Sequence, residues 1–482
     1  MFKRDQLFIG GQWVTPSSGQ TITVYDSATE ESVGVVPEPT TAEIDRAIAE
    51  ARHAFDEGPW PRMMPTERAA YLIRIAEALD ERTEELARTQ TQEVGCPYLF
   101  CLYGHARAGA GWFRYYAEMA DSELWTQTRS RPDDLPTSTL VREPVGVVAA
   151  IAPWNAPHYL CCSKLAPALL AGCTVVLKPA AEAALDGYLL ADAVHAAGLP
   201  KGVVSILPGG RDAGDHLIRS TQIDKVSFTG STAVGRHIAA VAGQNLVRVS
   251  LELGGKSAAI IADDAEPDKV LPTLVFGSTV NNGQACAALT RILVPQPRLS
   301  EWTDAIGAAF DAIEVGDPFD EKVTVGPLVS KRQQDRVLGY LSLARKEGGR
   351  FVAGGGTPPE LTRGWYIAPT VIAGLTNHAR VSREEIFGPV VVVLPHQGDE
   401  DAVRIANDSE YGLYSAVYSS DEERARSIAA GVRAGGCVIN GVFLDNATPF
   451  GGYKASGIGR EGGPEGLCEY TEIKSITVLP QG

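Results

Sequence analysis

Apolar positions change their period twice along this chain. The opening fifty residues carry short alternating segments, Leu7–Ile9 and 21–24, separated by Gly, Pro and Ser. A helix is expected next. Thr40 and Glu43 have the spacing of a capping box, and Ile44, Ala47, Ile48, Ala51 and Phe55 fall on one helical stripe. A second helix is expected from Pro65 to Gly95, with Ile73, Ile75, Ala76 and Leu79 among its apolar positions. From Val147 the pattern becomes short apolar runs (Val147–Ile151, 174–177, 203–207, 226–228, 247–251) alternating with helical stretches near 158–171, 182–197, 213–220 and 232–242. Runs without strict polar alternation read as strands covered on both faces, so the pattern predicts an α/β fold built on a parallel sheet with crossover helices. The second half repeats the style. Helices are expected near 265–281, 298–312 and 330–347, and strands at 291–294, 390–394, Ser415–Tyr418, 437–440 and 474–479. The polar segment 123–142 ends in Thr137-Ser138-Thr139-Leu140-Val141 and reads as an extended arm.

Composition narrows the class. The 482 residues are 44% hydrophobic and 21% charged, close to globular averages, and the length corresponds to about three structural units. Lys and Arg number 43 against 59 Asp and Glu, a net charge of −16 with no long basic run, which argues against nucleic acid as a partner. Eight cysteines at 96, 101, 161, 162, 173, 286, 437 and 468 show no C-x-x-C pair, and several lie in apolar runs. Most therefore read as small buried hydrophobes in a reducing compartment. The N-terminal residues lack the apolar core of a secretory signal. The apolar stretch 165–177 is broken by Pro167 and is too short for a bilayer. The expectation is a cytoplasmic protein with no membrane partner.

A few segments carry candidate chemistry. Two glycine-rich turns, at 209–214 and 230–235, each follow a strand and open a helix, where backbone N–H groups can hold a phosphate. Neither is a G-x-G-x-x-G or a Walker loop, so each also reads as a plain tight connection. Cys286 stands in Asn281-Asn282-Gly283-Gln284-Ala285-Cys286, the one cysteine in a polar setting. It is either a nucleophile awaiting a lowered pKa or a helping base, or a structural thiol. Glu252 lies between Leu251 and Leu253 at a strand end, where an apolar setting raises a carboxyl toward general-base duty; a hydrogen-bonded strand-end residue is the alternative. Asn155, in Pro153-Trp154-Asn155-Ala156-Pro157, is placed either to donate to an oxyanion or simply to shape a turn. His158 and His237 read as structural or surface residues. Serine-hydrolase and zinc-protease motifs are missing.

Taken in order, the motifs resemble the aldehyde dehydrogenase superfamily in its classical non-acylating, NAD(P)-dependent branch. They are Pro153-Trp154-Asn155, Leu177-Lys178-Pro179, Phe228-Thr229-Gly230-Ser231, Leu251-Glu252-Leu253-Gly254-Gly255-Lys256, Gly283-Gln284-Ala285-Cys286, Glu384-Glu385-Ile386-Phe387-Gly388-Pro389 and Pro449-Phe450-Gly451-Gly452-Tyr453-Lys454. The resemblance implies that Cys286 attacks the aldehyde carbon, that Asn155 and the Cys286 N–H hold the oxyanion, and that Glu252 activates the water that releases the acid. It places Lys178 on the adenosine ribose, Gly230 and Ser231 at the pyrophosphate, and Trp154 near the phosphates. Glu385 falls on the nicotinamide ribose, Phe387 beside it, and Gln333 also at the ribose. No metal is implied.

Ala181 stands where many NAD-preferring relatives have Glu, and the carboxylate comes one residue later, at Glu182. This predicts NAD use with some tolerance for NADP. The loop 209–214 is one residue shorter than in several relatives. Ala156, Leu160 and Ser163, with Val280, Phe443 and Leu444, are the expected tunnel lining, and small residues there leave room for a larger or branched aldehyde. Two rivals are a coenzyme A-acylating dehydrogenase, which Glu252 disfavours, and a non-catalytic binding protein on the same fold.

The resemblance also implies a Rossmann-like cofactor domain (1–122 and 145–253), an α/β catalytic domain (254–448) and a small β arm (123–144 and 462–482). An exposed arm strand needs a partner, so a homodimer or homotetramer is expected.

Overall fold

The computed structural model describes residues 2–130, 137–443 and 445–479. Its first large sheet runs Gly457–Ile458, Arg248–Glu252, Lys225–Thr229, Val147–Ile151, Thr174–Lys178, Val204–Ile206, Leu7–Ile9, Gln12–Val14. The five strands from Arg248–Glu252 to Val204–Ile206 are parallel, and the additions at both edges are antiparallel. Both faces are covered. Val148 and Ala150 enter one apolar cluster with the helix Pro157–Ala171, while Val147, Ala149 and Ile151 enter another with Ile44, Ala47 and Ile48. That double burial is why these strands lack polar alternation in the sequence.

The chain builds outward from Val147–Ile151 through Thr174–Lys178 to Val204–Ile206. It then returns to the opposite flank for Lys225–Thr229 and Arg248–Glu252. This reversal opens a crevice beyond the carboxyl ends of Val147–Ile151 and Lys225–Thr229, where ligands bind in sheets of this kind. Asn155 and Ser231 follow those two ends.

The second sheet runs Arg350–Ala353, Thr370–Ala373, Val390–His396, Leu289–Pro295, Ser257–Ile261, Ser415–Tyr418, Val438–Ile439, parallel except for its first strand. The two sheets are joined directly. Arg248–Glu252 ends one, residues 253–256 turn, and Ser257–Ile261 begins the centre of the other.

The arm is a three-stranded antiparallel sheet in which Ser138–Pro144 pairs with both Thr126–Arg129 and the C-terminal Thr471–Thr477. The part of the predicted arm at 131–136 and 480–482 lies outside the described residues. Among the described residues no helix is long and apolar enough to cross a membrane.

The expected capping box is present: Thr40 Oγ1 accepts the Glu43 N–H, and the Glu43 carboxylate accepts the Thr40 N–H at 2.8 Å. Several elements differ from expectation. The helix predicted over 65–95 is two, Pro65–Asp80 and Thr83–Val94, and Ile73 lies on the solvent face of the first. Helix also continues through 98–118, including a π-helical turn at Cys101–Arg107. Gly104, Gly109 and Gly111 lower the helical signal there, and tertiary packing overrides it: Gly109 lets His158 approach closely. The structure also has strands Ser257–Ile261, Arg350–Ala353 and Thr370–Ala373, which the apolar pattern does not single out.

Candidate active site

Cys286 is presented by a strained connection. The helix Pro267–Thr279 ends in a 3₁₀ turn, and Asn281, Asn282 and Gly283 all take left-handed backbone (φ 53°, 61° and 71°) before the strand Leu289–Pro295. Asparagine tolerates this region better than most residues, and here both side chains secure it. Asn282 Nδ2 donates to the carbonyls of Gly95 and Pro327, each at 2.8 Å, and its Oδ1 accepts the Gly326 N–H at 2.7 Å. Asn281 Nδ2 donates to the Asn155 carbonyl at 2.6 Å and to Gln284 at 3.2 Å. Gln284 Oε1 accepts the Val329 N–H at 3.0 Å. The polar residues around the thiol are therefore scaffold for its loop. Cys286 itself is half-buried. Burial, then the carboxylates of Glu252 and Glu385, push its thiol up to about 12.

Asn155 follows the central strand and is 7% exposed; its Nδ2 donates to the Gln284 carbonyl at 2.9 Å, which fixes it to the loop two residues before Cys286. The Glu252 carboxyl, 4% exposed, has no hydrogen-bond partner on either oxygen. It lies so close to Gly451 that a Cβ there would stand 2.6 Å from Oε1. Burial, and then the charge of Glu461, hold it well above the usual carboxylate range. An unpartnered buried carboxyl of this kind is costly as an anion unless it takes up a proton, which is what a general base does.

Sequence reasoning missed the residues behind Glu252. Lys164, fully buried in the helix Pro157–Ala171, donates to Thr229 Oγ1 at 2.7 Å and to a carboxylate oxygen of Glu461. Ser163, expected in the tunnel lining, donates to the other Glu461 oxygen at 3.1 Å. Lys164 also pulls the Glu252 carboxyl downward, against the dominant effect of burial. The available signal was a single charge in an otherwise apolar helix, since a lysine buried there needs a partner. Ala156 and Leu160 are half-buried and Phe443 is 63% exposed; Leu444 lies outside the described residues.

The residues expected at the cofactor have these partners. Lys178 Nζ, at a strand end, donates to the carbonyls of Pro179 at 3.1 Å and Gly209 at 2.5 Å, and burial pulls its ammonium down to about 8. Glu182, beside it, pairs with Arg332 at 2.8 Å. Ser231 caps the helix Thr232–Gln244, and the Gly230 N–H donates to the Glu252 carbonyl at 2.9 Å, tying the turn to the next strand. Glu385 Oε1 accepts the Gly255 N–H at 3.1 Å and fits only because Gly254 has no side chain; a Cβ there would stand 2.4 Å from Oε2. Trp154 and Phe387 meet edge to face, with ring centroids 5.4 Å apart.

Gln333 lies at the Phe387 turn. Its Nε2 donates to the Phe387 carbonyl at 2.7 Å, so its amide supports the turn where Phe387 holds a φ of 67°. A buried ammonium, a helix N-terminus, a half-buried carboxylate and an aromatic pair form a donor set suited to a dinucleotide.

Comparison with known proteins agrees with this geometry. Residues 13–476 match the model of the aldehyde dehydrogenase family. The geranial dehydrogenase of Castellaniella defragrans is 44% identical over 98% of both chains. A Mycobacterium tuberculosis aldehyde dehydrogenase complexed with NAD+ superposes with a TM-score of 0.97 at 45% identity, covering 100% of this chain and 99% of that one. The NAD+ complex of a Bacillus cereus aldehyde dehydrogenase superposes at 0.95 with 38% identity, covering 99% and 97%. With a cysteine on a braced loop and an unpartnered carboxyl already on the page, the match over nearly the whole length settles the lineage: the chain belongs to the aldehyde dehydrogenase family.

Proposed function

We propose that Cys286, Asn155 and Glu252 carry the family reaction in this chain, oxidation of an aldehyde to its carboxylic acid. The observation that supports it best is the buried Glu252 carboxyl, which has no hydrogen-bond partner on either oxygen. Glu252, or water beside it, takes the thiol proton, and the Cys286 sulfur attacks the aldehyde carbon to give a thiohemiacetal. Asn155 Nδ2 and the Cys286 N–H donate to the oxygen as it gains charge. NAD, when bound, supplies the nicotinamide that accepts hydride from the substrate carbon. Once the thiol proton has passed on to solvent, Glu252 deprotonates the water that attacks the thioester carbon; the carbon–sulfur bond breaks, and the acid and the Cys286 thiolate are released. Splitting the oxidation this way is the gain from covalent catalysis. Lys178, Gly230, Ser231, Glu385, Trp154 and Phe387 would hold the dinucleotide, with Gln333 positioning Phe387 rather than touching the ribose.

Ala181 leaves no carboxylate at the first position beyond the Lys178 turn, and Arg332 neutralises Glu182. Both favour tolerance of NADP alongside NAD. Half-buried Ala156 and Leu160, and a relative that acts on geranial, favour an apolar, branched aldehyde. The arm strand Thr471–Thr477, with Ile473 and Ile476 exposed, favours a homodimer or homotetramer, and eight free thiols favour a reducing, cytoplasmic setting. The division into cofactor, catalytic and arm units is supported by the eight-stranded, seven-stranded and C-terminal three-stranded sheets, with a further small sheet of Phe2–Lys3, Ser32–Pro37 and Thr21–Tyr25 on the cofactor side of the division.

The test is steady-state turnover across graded aldehydes with NAD and with NADP, the product being identified with and without coenzyme A. Free acid in both cases supports the mechanism, and a coenzyme A thioester would overturn it. Preference for short or cationic aldehydes would overturn the substrate class.

A further inference from the structure

A second cluster of reactive side chains lies away from the crevice. Cys96, Cys101 and His105 each offer a ligand atom, and these atoms all lie within 4.8 Å of one another. The three residues are buried, at 0%, 0% and 4% exposure. Cys96 follows the helix Thr83–Val94, and the other two lie in the π-helical turn Cys101–Arg107. The wide π turn sets Cys101 and His105, four residues apart, on one face toward Cys96. Such turns are rare and recur at functional sites.

The histidine is oriented as a ligand would be. Gln90 Nε2 donates to Asp186 Oδ1 at 3.0 Å, which fixes the amide so that Gln90 Oε1 faces His105 Nδ1, also at 3.0 Å. The Nδ1 proton is thus held by an amide oxygen, and Nε2 keeps the lone pair. An acceptor behind the imidazole is the usual outer support of a metal-binding histidine. Two thiolates and an imidazole are the ligands that soft d10 cations select. Metal–sulfur bonds of about 2.3 Å put tetrahedral ligand atoms about 3.8 Å apart, so binding draws these atoms together by up to about 1 Å. Two thiolates on Zn2+ leave no net charge in this buried place, which keeps desolvation small, while on Cu+ they leave a single negative charge.

We propose that Cys96, Cys101 and His105 form a binding site for one soft d10 cation, Zn2+ or Cu+, separate from the aldehyde-oxidising centre. Binding displaces the thiol protons to solvent and involves no change of oxidation state. The site reaches the active centre through one residue, since Gly95, next to Cys96, accepts the Asn282 amide that braces the Cys286 loop.

The test loads the metal-free full-length protein with Zn2+, or with Cu+ under anaerobic conditions, removes loosely held ion, and counts metal per chain. The expected result is one ion per chain for at least one of the two metals, retained in Cys286→Ala and lost in Cys96→Ser and in Cys101→Ser. His105→Gln should weaken retention at least tenfold. Loading with Co2+ gives a second readout that needs no variant of the cluster: a thiolate-to-metal absorption band should appear in the wild type and persist in Cys286→Ala. No retained ion with either metal, retention unchanged in both serine variants, or a Co2+ band that disappears with Cys286→Ala would each overturn the proposal.

Discussion

Asn155 Nδ2 donates to the main-chain carbonyl of Gln284 at 2.9 Å, so the proposed oxyanion donor and the loop that carries Cys286 move as one piece. The link is doubled from the other side, because Asn281 donates to the Asn155 carbonyl. Removing the Asn155 side chain should lower kcat by about 10²–10³, the cost of one oxyanion donor, and change the aldehyde KM far less. Steady-state kinetics of Asn155→Ala checks this; a loss confined to KM would make Asn155 a binding residue only.

Glu252 makes two separate predictions. As the base, it should give aldehyde oxidation that rises with pH through a midpoint well above the usual carboxylate range, since burial raises its carboxyl. Glu252→Gln should flatten that limb while Cys286→Ala abolishes turnover. The stability effect has the opposite sign. As pH rises past the ordinary carboxyl range, the unfolded chain releases this proton while the folded chain keeps it, so Glu252 makes the native state progressively less stable until its raised pKa is passed. The melting temperature of Glu252→Gln relative to wild type should therefore climb as pH rises from the ordinary carboxyl range toward the raised pKa of Glu252. A constant difference across that range would contradict the buried-acid assignment.

Lys164 compensates the Glu461 carboxylate inside the protein. Replacing it with Met leaves a buried charge unpaired, which should cost about 3–5 kcal/mol in denaturant unfolding. Because Lys164 pulls the Glu252 carboxyl down, the same variant should move the pH–rate midpoint toward alkaline pH. Lys164→Arg should recover part of both effects.

Asn282 joins three backbone groups that would otherwise be buried without partners. Asn282→Ala should destabilise the protein by about 1–3 kcal/mol for each group left unmet and should lower kcat, since the Cys286 loop loses its brace. Thermal melts and single-turnover acylation measure the two effects separately.

Gln333 supports the Phe387 carbonyl at 2.7 Å where the backbone is left-handed. Gln333→Ala should raise the KM for NAD about fivefold, the equivalent of ~1 kcal/mol for one hydrogen bond, with little change in the aldehyde KM. A shift in the aldehyde KM instead would place Gln333 on the substrate side.

Much of this was legible from residue order alone. The apolar runs from Val147 onward determine a two-sided parallel sheet, because strands buried on both faces cannot alternate. The motifs around Asn155, Lys178, Ser231, Glu252, Cys286 and Glu385, each ambiguous alone, point together to the reaction class through the family resemblance that their order carries. Helix boundaries near 65–118 were less legible, since glycines and a π turn there are stabilised by contacts with residues far along the chain. Pairings across long separations belonged entirely to the tertiary structure. Lys164 meets Glu461 across 297 positions and Asn282 meets Gly95 across 187, and no local pattern records either contact. Gln333 shows the same limit: the family pattern points it to the cofactor ribose, and its hydrogen bond to the Phe387 carbonyl is visible only in the folded chain. Residue identity thus determined which chemistry was present, and the folded chain decided which charges are buried together, because burial and partnership depend on the surroundings that folding supplies.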